Sequence, residues 1–151
     1  MEPLAESVEV RASLAEVWEL YFEPKSWPGW VDGFRAVESA AGYPERGGTL
    51  RWRSTPSGRG AVTERVLEHA PRTRHRIAFV DEHSEGELLT TFGIEGEVVR
   101  VTQECDYKLH RAGVFGPLTD RFFVRPQIRR SLQRSLARLK HDAEELAALS
   151  P

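Results

Sequence analysis

Ser13-Leu14-Ala15-Glu16-Val17-Trp18-Glu19-Leu20-Tyr21-Phe22, with Trp27-Pro28-Gly29-Trp30 close behind, decides how the rest of this chain is read. Ser13 and Glu16 form a capping box: the hydroxyl accepts from the Glu16 amide while the carboxylate reaches back. Leu14, Val17, Trp18, Tyr21 and Phe22 fall at helical spacing and make one apolar face. Pro24 ends this helix or opens the next turn, and Pro28-Gly29 stops a second one. Ahead of it, Val8, Val10 and Ala12 alternate with Glu9 and Arg11, the period of a half-buried strand. Two short aromatic helices therefore separate the first strand from the remainder of the chain.

Beyond Trp30 the chain has the rhythm of strands and turns. Phe34–Ser39 is a candidate strand, and Gly42–Gly48 a loop. Leu50, Trp52 and Ser54 alternate with Arg51 and Arg53 before a turn at Thr55-Pro56-Ser57-Gly58. Arg59–His69 and Arg74–Asp81, the latter carrying Phe79, flank another turn. Leu88, Thr90, Phe92 and Ile94 share one face of the next strand. Val99, Val101, Gln103, Cys105, Tyr107 and Leu109 share one face of a long last strand. Short sequential turns predict an antiparallel meander, because parallel strands need crossovers of about a dozen residues or more.

A long helix closes the chain, running from about Pro117 to Leu149. Ile128, Leu132, Leu136, Leu139, Ala143 and Leu146 form its apolar stripe. Projecting that stripe backwards puts Arg121 and Arg125 on the core face. Two unpaired buried arginines would be costly, which predicts a break or bend near Pro126. Phe115–Val124, including Phe122, then becomes a separate helical turn that can close the mouth of a cavity.

Composition bounds the function. The 151 residues imply one domain, 1–151, with 40% hydrophobic and 29% charged residues, as expected for a soluble protein. A net charge of −2 gives no whole-protein argument for nucleic acid or acidic membranes. One cysteine excludes an internal disulfide framework and fits a reducing compartment. The acidic start, Met1-Glu2-Pro3-Leu4-Ala5-Glu6, is unlike a signal peptide, and no apolar run spans a bilayer. The expectation is a cytoplasmic protein without membrane insertion, monomeric or homodimeric.

Strand, capped helix with Val17-Trp18, Trp27-Pro28-x-Trp30, meander, and a terminal helix ending Leu139-Lys140 with Glu144-Glu145 resemble the SRPBCC (START-like) superfamily. Val101-Thr102-Gln103-Glu104-Cys105-Asp106-Tyr107 also resembles its penultimate segment, and the polyketide cyclase/dehydrase group is the nearest likeness. The resemblance covers nearly the whole chain and implies an α+β helix-grip fold. In that fold a seven-stranded antiparallel sheet wraps a long C-terminal helix, two short helices follow the first strand, and a hydrophobic cavity lies inside. Members bind sterols, lipids, aromatic polyketides or plant hormones, and some are cyclases or aromatases. The glycine-rich loop of the plant-allergen branch is only shadowed here, by Arg46-Gly47-Gly48-Thr49.

Candidate ligand contacts can be read from the faces. Trp30 and Trp52 offer rings that stack on planar ligands or simply close the core, and Trp18 and Trp27 lean towards the core role. Phe79, Phe92 and Phe122 are apolar candidates. Thr90 and Gln103 are polar members of apolar faces, so each needs a partner: a side chain, a water or a ligand. Tyr107 is a candidate ligand donor or, weakly, a general acid, with a surface-reaching hydroxyl as the alternative. Arg121 and Arg125 would clamp a carboxylate or phosphate at the mouth, or pair with a neighbouring acid.

Other chemistry finds little support. His69, His75, His83, His110 and His141 show no metal spacing, so no metal or cofactor is expected. His69 and His75 flank one turn and face each other across a hairpin, where solvated turn residues are expected. No G-x-S-x-G is present, Cys105 has no neighbour in sequence that would activate it, and no acid sits on an apolar face in a way that marks a catalytic pair. Arg130, Arg134 and Arg138 line one side of the last helix, a solvated face with Asp142 four residues on. The leading expectation is binding of a small hydrophobic or aromatic molecule, as carrier, sensor or accessory protein. A cyclase, aromatase or dehydratase is the alternative, and a filled-core protein-interaction module the third. Catalysis predicts a buried, shifted titratable group in the pocket; an interaction module predicts no cavity.

Overall fold

The computed structural model describes residues 2–110 and 116–150. β1 (Leu4–Val10) leads into α1 (Leu14–Tyr21), a 3-10 turn at Pro24–Ser26 and α2 (Trp27–Trp30). Six strands come next: β2 (Phe34–Ala41), β3 (Thr49–Ser54), β4 (Ala61–Ala70), β5 (Arg74–Val80), β6 (Ser84–Glu95) and β7 (Val98–Leu109). α3 (Gly116–Thr119) and a π-helical turn (Asp120–Val124) run into α4 (Arg125–Leu149). Phe115, placed in the mouth-closing turn by the sequence, lies outside the described residues.

The seven strands form one antiparallel sheet in the order β1-β7-β6-β5-β4-β3-β2. Consecutive hairpins order β2 to β7, and β1 closes the far edge beside β7, as the short turns dictate. This is the helix-grip fold. The capping box forms as expected: Ser13 Oγ accepts from Glu16 N at 3.1 Å, and Glu16 Oε1 accepts from Ser13 N at 3.0 Å. β3 alternates strictly, with Leu50, Trp52 and Ser54 buried between exposed neighbours.

α4 packs along β1 and α2. Its inner stripe is Leu136, Leu139 and Ala143, all buried beside Val10, Val17 and Trp30 in the main core. Each fully buried leucine contributes about 2 kcal/mol. The stripe ends one turn earlier than its sequence period, since Leu146 is 51% exposed. Leu4, Phe79 and Cys105 make a second, smaller cluster with Ile128 and Leu132.

The expected break at Pro126 takes another form. Pro126 sits just after the π turn, where α4 begins within one unbroken helical run. The helix stays continuous, and the π turn ahead of it inserts an extra residue. Such an insertion rotates everything before it by roughly 100°. Arg121 thus becomes exposed rather than core-facing, and Phe122 is 62% exposed.

Gly86 on β6 lies against β7 so closely that an added Cβ would strike the Asp106 carbonyl and the Tyr107 backbone, whereas Gly93 on the same strand has open space. Gly86→Ala is expected to destabilise by about 2 kcal/mol or more and Gly93→Ala by no more than about 0.5, measured by urea denaturation.

Candidate functional site

The register of the sheet puts polar residues in one row across the concave face. His69 pairs with His75, His75 with Thr90, and Thr90 with Gln103, on β4 to β7 in turn. The adjacent row is apolar: Val66, Ile77, Leu88, Cys105 and Leu4. α1 reaches down to the polar row through Tyr21, whose hydroxyl lies 2.8 Å from Thr90 Oγ1 and accepts from Gln103 Nε2 at 3.1 Å. Burial, reinforced by the nearby Glu64, pushes the Tyr21 hydroxyl up to about 12 against the pull of those two bonds.

Above this row lies a cavity of about 130 Å³. Its inner end holds Tyr21, Trp27, His75, Thr90 and Gln103, all buried. Trp30, Leu50, Trp52 and Ile77 form apolar walls. The outer end has the more exposed Val31, Asp32, Arg59, Ser131 and Leu132. The cavity therefore lies between the sheet, the α2–β2 connection and the first turns of α4.

Glu64, Tyr43 and His75 on its wall also have shifted properties. Glu64 alternates with Val62 and Val66 on β4, and its carboxyl accepts the Trp52 indole N–H at 2.8 Å. Burial pushes that carboxyl above its usual range, against the Trp52 bond and the Arg59 charge. Burial, then the charges of Glu64 and Tyr21, likewise raises the Tyr43 hydroxyl. His75 is driven down to about 3 by burial and by His69, whose Nδ1 is 2.9 Å from its own. At neutral pH the imidazole is uncharged.

The outer end is pinned by charge. Arg59 donates from Nε to Asp81 Oδ2 at 2.7 Å, with its guanidinium over the rings of Phe79 and Trp52, 5.0 and 5.5 Å from their centroids. Burial alone would raise the Asp81 carboxyl; Arg59 and the His83 and Ser84 amides hold it low. Asp32 accepts from Arg134 twice at 3.0 Å, from Arg138 at 3.3 Å and from Ser131 Oγ at 2.8 Å. The Asp32 amide donates to Ser135 Oγ, so α4 is tied to the α2–β2 connection.

Of the residues singled out from sequence, Trp30, Trp52, Thr90 and Gln103 line the cavity. Phe92 instead packs into an aromatic cluster with Trp18, Tyr21 and Phe22, and Phe79 lies behind the wall under Arg59. Tyr107 is committed elsewhere, its hydroxyl donating to Asp120 Oδ1 at 2.5 Å. Burial and that acid raise it. Arg121 lies over the Phe122 ring, and Arg125 donates to the Glu2 carbonyl at 2.6 Å. The cation on the cavity wall is Arg59, from the β3–β4 connection. Arg134 and Arg138 turn to Asp32 rather than Asp142.

Two corrections concern signals present in the sequence. His75 is buried, not solvated, because the hairpin carries it under Phe22 and Tyr43. Glu64 was not singled out from the sequence, although the alternation Val62-x-Glu64-x-Val66 marks it. Asp32, Ser131 and Ser135 carried no such signal, since only the fold brings them together. Among the described residues one group has metal-ligand proximity: His141, Asp142 and Glu145, within 4.8 Å on the outer side of α4. Its His141–Glu145 contact of 3.3 Å is an ordinary exposed i, i+4 pair. No described helix is long and apolar enough to cross a membrane.

A family model described as polyketide cyclase / dehydrase and lipid transport matches residues 1–144. The chain belongs to that family. A search of curated proteins finds no match. TTHA0849 from Thermus thermophilus superposes with a TM-score of 0.75 at 21% identity, over 98% of this chain and 99% of that one. Norcoclaurine synthase from Thalictrum flavum, in complex with dopamine and hydroxybenzaldehyde, gives 0.71 at 14% identity, over 99% and 88%. The Aha1 dimer from Colwellia psychrerythraea gives 0.68 at 12%, over 95% and 97%. At these identities the likeness is one of fold.

His75 supplies a pH signature. Its folded value of about 3 lies below the ordinary 6.5, so the folded state binds fewer protons and stability falls as pH drops through that interval. The loss is roughly 1 kcal/mol per pH unit. Glu64 titrates with the opposite sign but is shared by any His75 variant. His75→Gln is therefore expected to show a shallower stability loss than the parent between pH 6 and 4.5, by urea midpoints; parallel curves would contradict the buried neutral imidazole.

Proposed function

We propose that this protein binds one small, ring-sized hydrophobic or aromatic molecule in the cavity between sheet and α4. The single observation that carries the reading is a cavity of about 130 Å³ walled by Trp27, Trp30, Trp52 and Tyr43. An apolar engineered cavity of about 150 Å³ takes up benzene, which sets the scale of the occupant at one ring. The family, whose description includes lipid transport, supports a ligand-binding role. The cavity also counts against the interaction module, which requires a filled core.

Glu64 favours a second reading, an acid–base enzyme of the cyclase or dehydratase type. A carboxyl that burial raises above its usual range, on the wall of an apolar cavity, is a candidate to give a proton to a bound carbonyl or leaving group. Glu64→Gln keeps an acceptor for the Trp52 indole and removes that proton. Binding survives the change under either reading; turnover is lost under the second.

Toluene titrated into ¹⁵N-labelled protein tests the binding reading. The indole N–H signals of Trp27, Trp30 and Trp52 are expected to shift together while Trp18, outside the cavity, stays put. Leu132→Trp, which adds bulk at the outer end, is expected to weaken binding about tenfold or more. Unmoved cavity indoles would overturn the proposal.

A further inference from the structure

Two residues that line the cavity each hold a buried polar atom with no hydrogen-bond partner among the described residues: Gln103 Oε1 and His75 Nε2. Gln103 is 4% and His75 3% exposed, and both residues line the cavity. A buried group left unpaired costs about 1–3 kcal/mol, so such atoms are seldom kept without a partner.

Counting hydrogen bonds favours one end of the Gln103 amide as the unpaired one. Three contacts close a triangle: Tyr21 hydroxyl to Thr90 Oγ1 at 2.8 Å, Gln103 Nε2 to Tyr21 at 3.1 Å, and Gln103 Nε2 to Thr90 at 3.4 Å. With nitrogen at that corner, two amide protons and one hydroxyl proton serve all three edges. With oxygen there, the two hydroxyl protons serve only the 2.8 and 3.1 Å edges, and two oxygens face each other at 3.4 Å without a hydrogen bond, one bond fewer than with nitrogen. The nitrogen belongs in the triangle, so the oxygen is the atom left open. What it lacks is a donor.

The surroundings set the chemistry of that donor. His69 and His75 meet through their Nδ1 atoms, so one of them carries its proton there. His75 Nε2 is thus a donor in one arrangement and an acceptor in the other. A carbonyl or ether cannot satisfy Gln103 Oε1. A hydroxyl satisfies it, and its oxygen can in turn accept from His75 Nε2 in the tautomer that carries the proton there. An ionised group has no free counter-charge at this end, because Arg59 stands at the outer end on Asp81. The aromatic walls and one-ring volume favour an aryl over an alkyl carrier.

Resting on the binding reading above, we propose that the inner end of the cavity recognises a phenol, whose neutral aromatic hydroxyl donates to Gln103 Oε1. Tyr21 and Thr90 are positioning residues here, holding the amide so that its oxygen stays open.

Calorimetric titration of the full chain at pH 7 with phenol and with toluene, which replaces the hydroxyl by a methyl, tests this. A plain apolar cavity prefers toluene, because the hydroxyl must be stripped of water. The intact protein is expected to bind phenol about tenfold tighter than toluene. In Gln103→Leu, toluene binding is expected to persist while the phenol preference falls to about threefold or less. Toluene binding as tightly as phenol in the parent, or a preference that survives in Gln103→Leu, overturns the phenol site and leaves the apolar-ligand reading standing. Binding of neither overturns both. The parent comparison decides the matter even where the variant does not fold.

Discussion

Tyr21 reaching across the core to Thr90 and Gln103 is the contact that sets the arrangement of the cavity. A polar row in the middle of a concave, otherwise apolar sheet would be a liability if every member lacked a partner. The Tyr21 hydroxyl turns that liability into a fixed geometry. It docks α1 at a defined height above β6 and β7, orients the Gln103 amide, and sets how far the helices stand from the sheet. Because the bond forms only in one register of β6 on β7, it also penalises strand slippage, which would move Thr90 or Gln103 to the outer face.

Charge does the corresponding task at the other end of the cavity. Asp32 gathers Arg134, Arg138 and Ser131 from α4, and its own amide meets Ser135. A single exposed ion pair would contribute little, about 0–1 kcal/mol. Here one carboxylate takes several donors from successive turns, and its effect is to fix where the α2–β2 connection lies on the helix. Arg59, held by Asp81 between two rings, closes the same end from the sheet side. The site is thus apolar through its middle, neutral and polar at its inner end, and edged by ion pairs at its rim. A ligand would enter past charge and come to rest against uncharged groups, since His75 is neutral at physiological pH.

Several elements were legible in the sequence because they rest on local physics. The Ser13–Glu16 cap, the alternation of Leu50, Trp52 and Ser54, and the succession of short turns each specify backbone within a few residues. Thr90 and Gln103 could be placed on the inner face from a period of two. The same period would have found Glu64 between Val62 and Val66. The failures were of another kind. Arg121 and Arg125 were placed at the cavity mouth by a break expected near Pro126, whereas the helix takes up the offset in a π turn between Asp120 and Val124. Tyr107 shares the inner face of β7 yet ends at Asp120, because the inner face of a long strand extends beyond the cavity.

The order of elements in the helix grip, the residues facing inward and the apolar stripe of α4 were all written along the chain, since they rest on repeats of about two and 3.6 residues. Which inward residues meet a cavity, and which meet one another, was settled in three dimensions. Tyr21 and Gln103 lie 82 positions apart, and Asp32 and Arg134 102. No periodicity encodes such distances. They are set by how α1, the sheet and α4 pack, and packing responds to shape and charge summed over the whole core.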